Sequence, residues 1–300
     1  MDGTLLGAGG RVSVRNLAAL QTAERAGAEV VIATGRRHGY ALNVLRELDL
    51  NPGNGLISSN GTVIRTIRSE LLHRTSMQLS TARWLCAHLA EFRNTLVLTF
   101  DADGPDGREE NARGQLVVEH GNDLRNSVSG WMRANEPYLA HVERLEDALD
   151  AGPPIQMMLC GSIERMRRAE ARLLEREGVS AVGATPLERV QGAEVALHRT
   201  EYPERDLCVV DILPAGCSKG SAMLRLAALR GVAAEEMLAI GDNWNDVSML
   251  EVAGQAVVMA NAPEDIKLLA AERGWTVGLS NEEDGVAVAI EAALAVSPVV

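Results

Sequence analysis

At both ends of the chain, short apolar runs that stop at a polar residue alternate with stretches of helical character. A β-branched run bounded by polar residues is typical of a strand buried in a parallel sheet. Strands that alternate with helices predict an α/β fold, in which a doubly wound, Rossmann-like parallel sheet carries helices on both faces. The strand-like runs are AEVVIA (28–33), GLISSN (55–60), MLAIGD (237–242) and QAVVMA (255–260).

The helical stretches between these runs have recognisable ends. Ser13 can cap a helix that continues through 14–26 and stops at Gly27, because a serine hydroxyl satisfies free N–H groups and glycine tolerates the conformation of a helix end. Pro263 suits the first position of a later helix, where its missing N–H has no partner to lose. Asn60-Gly61 predicts a tight turn into the strand-like TVIRT. Further helices are predicted over 38–50, 218–230, 245–253 and 284–294.

In the middle of the chain the predicted strands and helices no longer alternate regularly. Strand-like runs and helices are mixed here, and this mixture fits an α+β insert better than a continuation of the parallel sheet. We therefore predict a core domain formed by 1–78 and 214–300, interrupted by an α+β cap domain over 79–213. The charged, glycine-rich segment 104–114 is predicted to be an exposed loop or hairpin tip. The strand candidates are TLVLTFDA, QLVVEH, PIQMMLC, AEVALHR and DLCVVDIL, with helices near 80–92, 122–135 and 162–177.

Composition excludes several classes of partner. The formal net charge of −12 argues against nucleic acid, since a phosphate backbone needs a basic face. No apolar run is long enough to span a membrane, and the beginning of the sequence has no signal-peptide pattern. The four cysteines form no C-x-x-C pair, which indicates free thiols in a reducing compartment. We therefore predict a cytoplasmic protein without nucleic-acid or membrane partners.

Polar side chains come together where the predicted strands end. Asp2, Thr34 and Asp242 each stand where an apolar strand ends or would end, and ligands of open α/β sheets bind beyond these carboxyl ends. Lys219 begins a helix after a glycine-containing turn and can reach the same crevice. Carboxylates with open water positions suit Mg²⁺, whereas a hydroxyl, backbone N–H groups and a lysine suit a phosphate group. Together these groups indicate phosphoryl transfer.

The same residues also suit purely structural roles. Asp242 and Asp246 are of the type that caps helices after a strand, and Thr34 is an ordinary β-branched strand residue. A solvated lysine at a helix start is common, although its charge opposes the helix dipole. Arg36 suits a solvated position as well as a phosphate contact. The chemical interpretation of Asp242 is favoured because it lies in GDNWND, directly after an apolar strand.

Seven short stretches occur in an order that resembles one enzyme family. They are DGTLL (2–6), ATGR (33–36), SNG (59–61), SKG (218–220), GDNWND (241–246), MANAPEDIK (259–267) and SNEEDGVA (280–287). In this pattern the chain resembles phosphatases of the haloacid dehalogenase (HAD) superfamily, of the Cof-type subgroup with a large α/β cap. The resemblance covers nearly the whole predicted core.

The family's first motif, D-x-D-G-T, raises a question of register. The family's glycine directly follows the second carboxylate, the general acid/base, so Gly3 assigns that role to Asp2. By this register the nucleophilic Asp lies just upstream of Met1, and we expect the sequence to be truncated within the motif. In a rival register Asp2 is the nucleophile, with Thr4 two residues on, but this register misplaces the glycine.

The resemblance implies a mechanism and a set of site residues. An Asp attacks the phosphorus to form an aspartyl-phosphate, Asp2 exchanges the proton, and a closing cap excludes water and selects the leaving group. A Mg²⁺ ion is implied as the cofactor. The implied residues are Asp2, Thr34 and Lys219 for catalysis, Gly35, Arg36, Asn60 and Asn245 for substrate binding, and Asp2 (through its backbone carbonyl), Asp242 and Asp246 for the metal. At the metal, Asp246 is expected to orient Lys219 or a metal-bound water.

The sequence therefore predicts a Mg²⁺-dependent phosphatase of small phosphomonoesters, namely sugar phosphates or phosphorylated cofactors. Its expected partner is a small phosphorylated metabolite. Two alternatives stay open. One is a catalytically inactive HAD-like protein that binds a ligand without turnover, and the other is a dedicated sugar-phosphate phosphatase of a biosynthetic pathway. The substrate and the oligomeric state do not follow from the sequence.

Overall fold

The computed structural model describes residues 1–101, 114–181 and 192–296. The chain forms two compact units, a core unit (Met1–Leu72 with Ser218–Val300) and an inserted unit (His73–Cys217). The domain boundaries predicted from the sequence, at 78/79 and 213/214, differ by a few residues from the limits of these units and stay a prediction. The predicted loop over 104–114 lies outside the described residues, except for its last residue.

The first segment of the core unit begins with a capped helix. Ser13 is the N-cap of α1, and its hydroxyl accepts the backbone N–H of Asn16, so the predicted helix start is confirmed. The turn over Ser59–Gly61 reverses the chain between two strands, as predicted from Asn60-Gly61. The elements are α1 (Val14–Arg25), β1 (Ile32–Ala33), α2 (His38–Leu45), β2 (Gly55–Ser58), β3 (Val63–Thr66) and β4 (Leu71–Arg74).

The inserted unit is built on one mixed sheet with the strand order β7-β6-β5-β8-β11-β10-β9. Its central pairs are antiparallel, and only the outermost pair at each end is parallel. All five strands predicted from the sequence occur in this sheet. The elements are α3 (Leu79–His88), β5 (Leu96–Thr99), β6 (Leu116–Glu119), α4 (Leu124–Asn135), β7 (Leu139–Val142), α5 (Leu145–Ala148), β8 (Gln156–Gly161), α6 (Ile163–Leu174), β9 (Val179–Ala181), β10 (Val195–Tyr202) and β11 (Leu207–Pro214).

The last segment returns to the core unit with alternating helices and parallel strands. Ser218 caps the first of these helices, and its hydroxyl accepts the backbone N–H of Ser221. Pro263 stands at the N-cap of a later helix and not at its first position. The elements are α7 (Lys219–Arg230), β12 (Leu238–Gly241), α8 (Val247–Val252), β13 (Gln255–Val258), α9 (Glu264–Arg273), β14 (Thr276–Val277) and α10 (Gly285–Val296).

Helices cover both faces of the core strands, as a doubly wound fold requires. On β2, Leu56 packs into the hydrophobic cluster of α1, α2 and α10, whereas its neighbour Ile57 packs against α7 on the opposite face. The strands form two sheets, β1-β2-β3-β4 and β12-β13-β14. The first sheet is mixed and not wholly parallel, because the turn over Ser59–Gly61 sends β3 back antiparallel to β2.

Strand β1 is shorter than the run AEVVIA from which it was predicted. It pairs with β2 at two positions, Ile32 with Leu56 and Ala33 with Ile57, and its ladder extends no further. The carboxyl end of β1 nevertheless leads directly into Thr34, as predicted. Among the described residues, none of the helices combines the length and the apolar character needed to cross a membrane.

Candidate active site

The first sequence motif lies directly against the end of β12. Gly3 has a φ of +68°, and a Cβ atom there would lie 2.2 Å from Oδ2 of Asp242. Any other residue at this position would therefore have a strained backbone, and its Cβ would clash with the Asp242 carboxylate. The Thr4 hydroxyl donates a hydrogen bond to the other carboxylate oxygen of Asp242. The backbone of MDGTLL and the acid of GDNWND thus form one contact, although 238 positions separate Thr4 from Asp242.

Asp242 is a buried acid whose carboxylate contacts no lysine or arginine among the described residues. Its residue is 9% exposed, and among the described residues its carboxylate is reached by the Thr4 hydroxyl and by no lysine or arginine. Burial, with the neighbouring Asp246 carboxylate, raises the pKa of Asp242 to about 6, against the opposing effect of the Thr4 hydrogen bond. A buried carboxylate of this kind is stabilised by any cation that binds beside it.

Lys219 and Asp246 form a buried ion pair next to Asp242. Lys219 is the first residue of α7, and its Nζ lies 2.6 Å from Oδ1 of Asp246, with both side chains almost wholly buried (exposed fractions 4% and 5%). The second oxygen of Asp246 accepts the backbone N–H groups of Asp242 and Asn243, at 2.9 and 3.2 Å. Burial alone would raise the pKa of Asp246, but the Lys219 ammonium holds it below its ordinary value. Asp246 therefore fixes both the lysine and the loop that carries Asp242.

The ATGR stretch forms a loop after β1 that is hydrogen-bonded to the turn over Ser59–Gly61. The Ser59 N–H donates to the Arg36 carbonyl at 2.9 Å, and the Asn60 N–H donates to the Thr34 carbonyl at 3.1 Å. The buried Thr34 hydroxyl accepts the Arg36 N–H at 3.1 Å. Gly35 packs against the Asn60 side chain, since a Cβ at Gly35 would lie 3.0 Å from its Oδ1. These bonds give the loop one fixed shape.

The turn over Ser59–Gly61 also contacts the other two motifs. A Cβ on Gly61, whose φ is +99°, would lie 2.2 Å from the carbonyl oxygen of Ser218, the N-cap of α7. The Nδ2 of Asn245 donates to Oδ1 of Asn60 at 3.2 Å. The turn therefore joins the ATGR loop to the helix start that carries Lys219 and to the GDNWND loop.

Asp2 is held by Arg36. The guanidinium contacts both carboxylate oxygens, with 2.8 Å between Nε and Oδ2 and a shorter contact from Nη2 to Oδ1. The Asp2 side chain is 63% exposed, whereas the Arg36 side chain is only 20% exposed. On its other side the guanidinium lies over the ring of Tyr40, 4.8 Å from the ring centre.

Contacts link all the site residues predicted from the sequence, although in two groups. Asp242, Asp246 and Lys219 form one group at the ends of β12 and α7. The other group joins the ATGR loop to its neighbours, and it contains Asp2, Thr34, Gly35, Arg36, Asn60 and Asn245. The two groups meet where Gly61 packs on Ser218. The roles assigned to these residues stay predictions.

Sequence reasoning missed several residues that support the site. Thr4 contacts Asp242, and Tyr40 contacts Arg36. The Nδ2 of Asn261 donates to the Gly3 carbonyl at 2.8 Å, and its Oδ1 accepts the N–H of Asn281 at 3.0 Å. Asn261 and Asn281 belong to the motifs MANAPEDIK and SNEEDGVA, so the motifs marked them but gave them no role.

The acidic residues fit a divalent cation unequally. Both oxygens of Asp246 are already used by Lys219 and by backbone N–H groups, and both oxygens of Asp2 contact Arg36. Within the described ranges, no three acidic, histidine or cysteine side chains are grouped closely enough to hold a metal by themselves. Asp242 does fit, because among the described residues no lysine or arginine contacts its carboxylate, and carboxylate oxygens are what Mg²⁺ prefers, together with water and backbone carbonyls. The predicted set of Asp2, Asp242 and Asp246 stays a prediction.

Comparison with known proteins decides the family. The sequence pattern of the haloacid dehalogenase-like hydrolases matches residues 1–290. The chain belongs to this family. The phosphatase YwpJ of Bacillus subtilis (strain 168) is 31% identical over 303 aligned positions, which cover 96% of this chain and 95% of YwpJ. The 5-amino-6-(5-phospho-D-ribitylamino)uracil phosphatase YwtE of the same organism is 27% identical over 301 positions, covering 97% and 95% of the two chains.

Solved structures agree with this result. A haloacid dehalogenase-like hydrolase from B. subtilis has a TM-score of 0.73 at 26% identity, covering 97% of this chain and 96% of its own. The predicted α/β fold class and the predicted HAD phosphatase family are therefore confirmed. The prediction of an enzyme, a phosphoric monoester hydrolase, is confirmed by the family and by its phosphatase relatives.

Proposed function

We propose that this member of the haloacid dehalogenase-like hydrolases is a Mg²⁺-dependent phosphatase of small phosphomonoesters that reacts through an aspartyl-phosphate. The observation that carries the proposal is the contact between the first motif and Asp242, a buried acid with no lysine or arginine in contact among the described residues. Thr34, Lys219 and Asp2 occur on the motifs that meet around this contact. The names of YwpJ and YwtE, both phosphatases, support the same reaction class.

The metal would be held by Asp242 and by the backbone carbonyl of Asp2. When bound, Mg²⁺ supplies charge that offsets the repulsion between a phosphate and the site's carboxylates. Asp246 holds Lys219 at 2.6 Å and binds two backbone N–H groups of the Asp242 loop. Asp246 thus acts on the metal site by fixing its neighbours, in line with the role in orienting Lys219 that the family pattern implied.

The other site residues bind the phosphoryl group or transfer protons. The Thr34 hydroxyl and the Gly35 N–H hold the phosphoryl oxygens, with the Lys219 ammonium opposite. The carboxyl group of Asp2 gives its proton to the leaving alkoxide and then takes one from the water that cleaves the aspartyl-phosphate. Asp2 suits this exchange because its side chain is largely exposed.

The nucleophile is expected just upstream of Met1. In this register Gly3 is the glycine that follows the general acid, and its φ of +68° and its packing on Asp242 require a residue without a side chain.

The test is phosphate release from p-nitrophenyl phosphate and from a panel of sugar phosphates and phosphorylated cofactors, with Mg²⁺ and with EDTA. Two proteins are compared, one beginning at Met1 and one that includes the codons upstream of Met1. We expect Mg²⁺-dependent hydrolysis by the longer protein only. Equal activity in both would overturn the register, and no hydrolysis by either would favour an inactive binding protein.

The panel also tests the substrate class. YwtE is named for a sugar-alcohol phosphate attached to a uracil, so a small phosphorylated metabolite is the partner we propose here. A preference of more than about tenfold in kcat/KM for one biosynthetic sugar phosphate would favour a dedicated enzyme over a general phosphatase. The cytoplasmic location stays a prediction.

A further inference from the structure

Both the backbone and the side chain of Arg36 contact other residues of the site. Its backbone N–H donates to the Thr34 hydroxyl at 3.1 Å, and its carbonyl accepts the Ser59 N–H at 2.9 Å. Its guanidinium lies between the Asp2 carboxylate and the face of the Tyr40 ring. Backbone and side chain are thus fixed together, which leaves the guanidinium little freedom to follow a bound ligand.

The contact with Asp2 uses the geometry that arginine provides and lysine does not. Nε and Nη2 face the two oxygens of one carboxylate, a planar two-bond arrangement that fixes orientation as well as distance. Among the described residues, Arg36 is the side chain that contacts the Asp2 carboxylate. Since Asp2 is 63% exposed, its carboxylate would otherwise rotate freely in solvent.

The charge balance of the pair argues against a direct role in phosphate binding. A guanidinium in contact with a carboxylate is nearly neutral as a unit, so the pair attracts a dianion weakly. One face of the guanidinium lies over the Tyr40 ring, 4.8 Å from the ring centre. Arg36 is therefore placed to serve Asp2 and not the phosphoryl group.

We propose that Arg36 is a positioning residue for proton transfer, which holds the Asp2 carboxyl group where it meets the leaving-group oxygen, with Tyr40 as the support of its guanidinium. This inference rests on the proposed phosphatase function. It replaces the substrate-binding role that the sequence suggested for Arg36 with a role exerted through Asp2.

Two roles of Arg36, positioning Asp2 for proton transfer and binding the phosphoryl group, predict different effects of the leaving group on the rate. p-Nitrophenolate departs with little need of a proton, whereas the alkoxide of a sugar phosphate must be protonated as it leaves. In the active form of the enzyme, we expect Arg36→Gln to lower kcat on the best sugar phosphate by about 100-fold and on p-nitrophenyl phosphate by only about threefold, with KM nearly unchanged. Asp2→Asn should show the same dependence on the leaving group, and Tyr40→Leu a weaker form of it.

Matched variants make the result specific. Arg46→Gln removes an equal charge from the C-cap of α2, at the far end of the helix that follows the ATGR loop, and should leave both substrates unaffected. Arg36→Lys keeps the charge but not the two-bond contact, so it should rescue little of the loss. Equal losses on the two substrates, or a KM increase of about tenfold or more, would mean that Arg36 binds the phosphoryl group and would overturn the proposal.

A binding measurement tests the same inference without turnover. Calorimetric titration with inorganic phosphate in the presence of Mg²⁺ should give a Kd for Arg36→Gln within about twofold of the unsubstituted protein. A weakening of about tenfold would overturn the inference while leaving the phosphatase proposal intact. Failure of the unsubstituted protein to bind phosphate, or to hydrolyse any phosphomonoester, would defeat the proposed function and this inference with it.

Discussion

At Gly3, a left-handed backbone conformation and the absence of a side chain leave room for the carboxylate of Asp242. We expect Gly3→Ala to lower kcat/KM by about 100-fold or more, because the new Cβ would displace the Asp242 carboxylate from a position that catalysis requires within about 1 Å. Steady-state kinetics with p-nitrophenyl phosphate and Mg²⁺ measure this loss in the active form of the enzyme.

Gly10 supplies the matched control for this prediction. Its φ is also +68°, but a Cβ there would meet nothing within 4 Å. Gly10→Ala therefore imposes the same backbone strain, about 1 kcal/mol, without a clash, and should leave kcat/KM unchanged. If both variants lost activity equally, backbone strain in the first loop and not the contact with Asp242 would be the cause.

The Lys219–Asp246 pair predicts a large loss of stability from a small change. Asp246→Asn leaves the Lys219 ammonium buried without its counter-charge, and we expect it to lower the free energy of unfolding by about 3 kcal/mol. Urea unfolding in EDTA measures this cost without a contribution from bound metal. Glu264→Gln breaks the exposed pair with Lys267, in which the Glu264 side chain is 77% exposed, and should cost less than about 0.5 kcal/mol. A cost for Asp246→Asn as small as that of the control would contradict the burial of this pair.

Secondary-structure elements were predictable where their ends carry a local signal. The hydroxyls of Ser13 and Ser218 cap α1 and α7, and the long apolar runs became β8, β10 and β11. Strands β4, β7, β9 and β14 were not predicted. Each has only two to four residues, and such short strands exist because a neighbouring strand offers hydrogen bonds, a condition that the local sequence does not reveal.

In the inserted unit, Arg93 joins the segment after α3 to β6 and α5. Its guanidinium contacts the carboxylates of Glu119, at the end of β6, and Glu146, in α5. The Arg93 hydrogen bonds lower the pKa of Glu146 from 4.5 to about 2, against the opposing effect of burial. These contacts span positions far apart in the sequence, and no motif predicted them.

The lowered pKa of Glu146 sets a pH dependence with a definite sign. A carboxyl group whose pKa is lower in the folded protein stabilises it above the unfolded value, 4.5, and this contribution disappears as the pH falls toward about 2. Glu146→Gln should therefore cost about 1 kcal/mol at neutral pH, a figure discounted for solvent screening, and almost nothing near the lower value. Unfolding midpoints across this range measure the difference.

Glu70→Gln is the control for Glu146→Gln. It removes a carboxylate from an exposed pair with Arg68, in which the exposed side-chain fractions are 62% for Arg68 and 55% for Glu70. An exposed pair of this kind contributes little, so this variant should show almost no pH-dependent cost. A cost of Glu146→Gln that stayed constant from neutral to acidic pH would show that packing, and not the ion pair with Arg93, is responsible.

Across the whole molecule, the sequence located the site better than it assigned its contacts. Asp2, Thr34 and Asp242 were expected to meet because strand ends in an α/β sheet share one edge, a rule that needs only the order of strands and helices. Lys219 was expected to reach the same place from a helix start. The pairing of Asp2 with Arg36 depends on which side chains face each other after packing, and periodicity and motifs carry no information on that choice. The family pattern implied that Asp246 orients Lys219 or a metal-bound water, and its carboxylate contacts Lys219. Its assignment to the metal stays a prediction.

A bound cation should stabilise the whole protein even where turnover is not measured. If Asp242 holds Mg²⁺ only in the folded chain, raising free Mg²⁺ to about 100 times its Kd should increase the free energy of unfolding by about 2.7 kcal/mol. Urea unfolding at matched ionic strength in NaCl isolates the specific effect from screening. Asp242→Asn should abolish this increase. Asp265→Asn removes an equal charge from an acid that accepts the Trp244 indole N–H, and should preserve it. A Mg²⁺ effect that persisted in Asp242→Asn would place the cation elsewhere and remove Asp242 from the proposed mechanism.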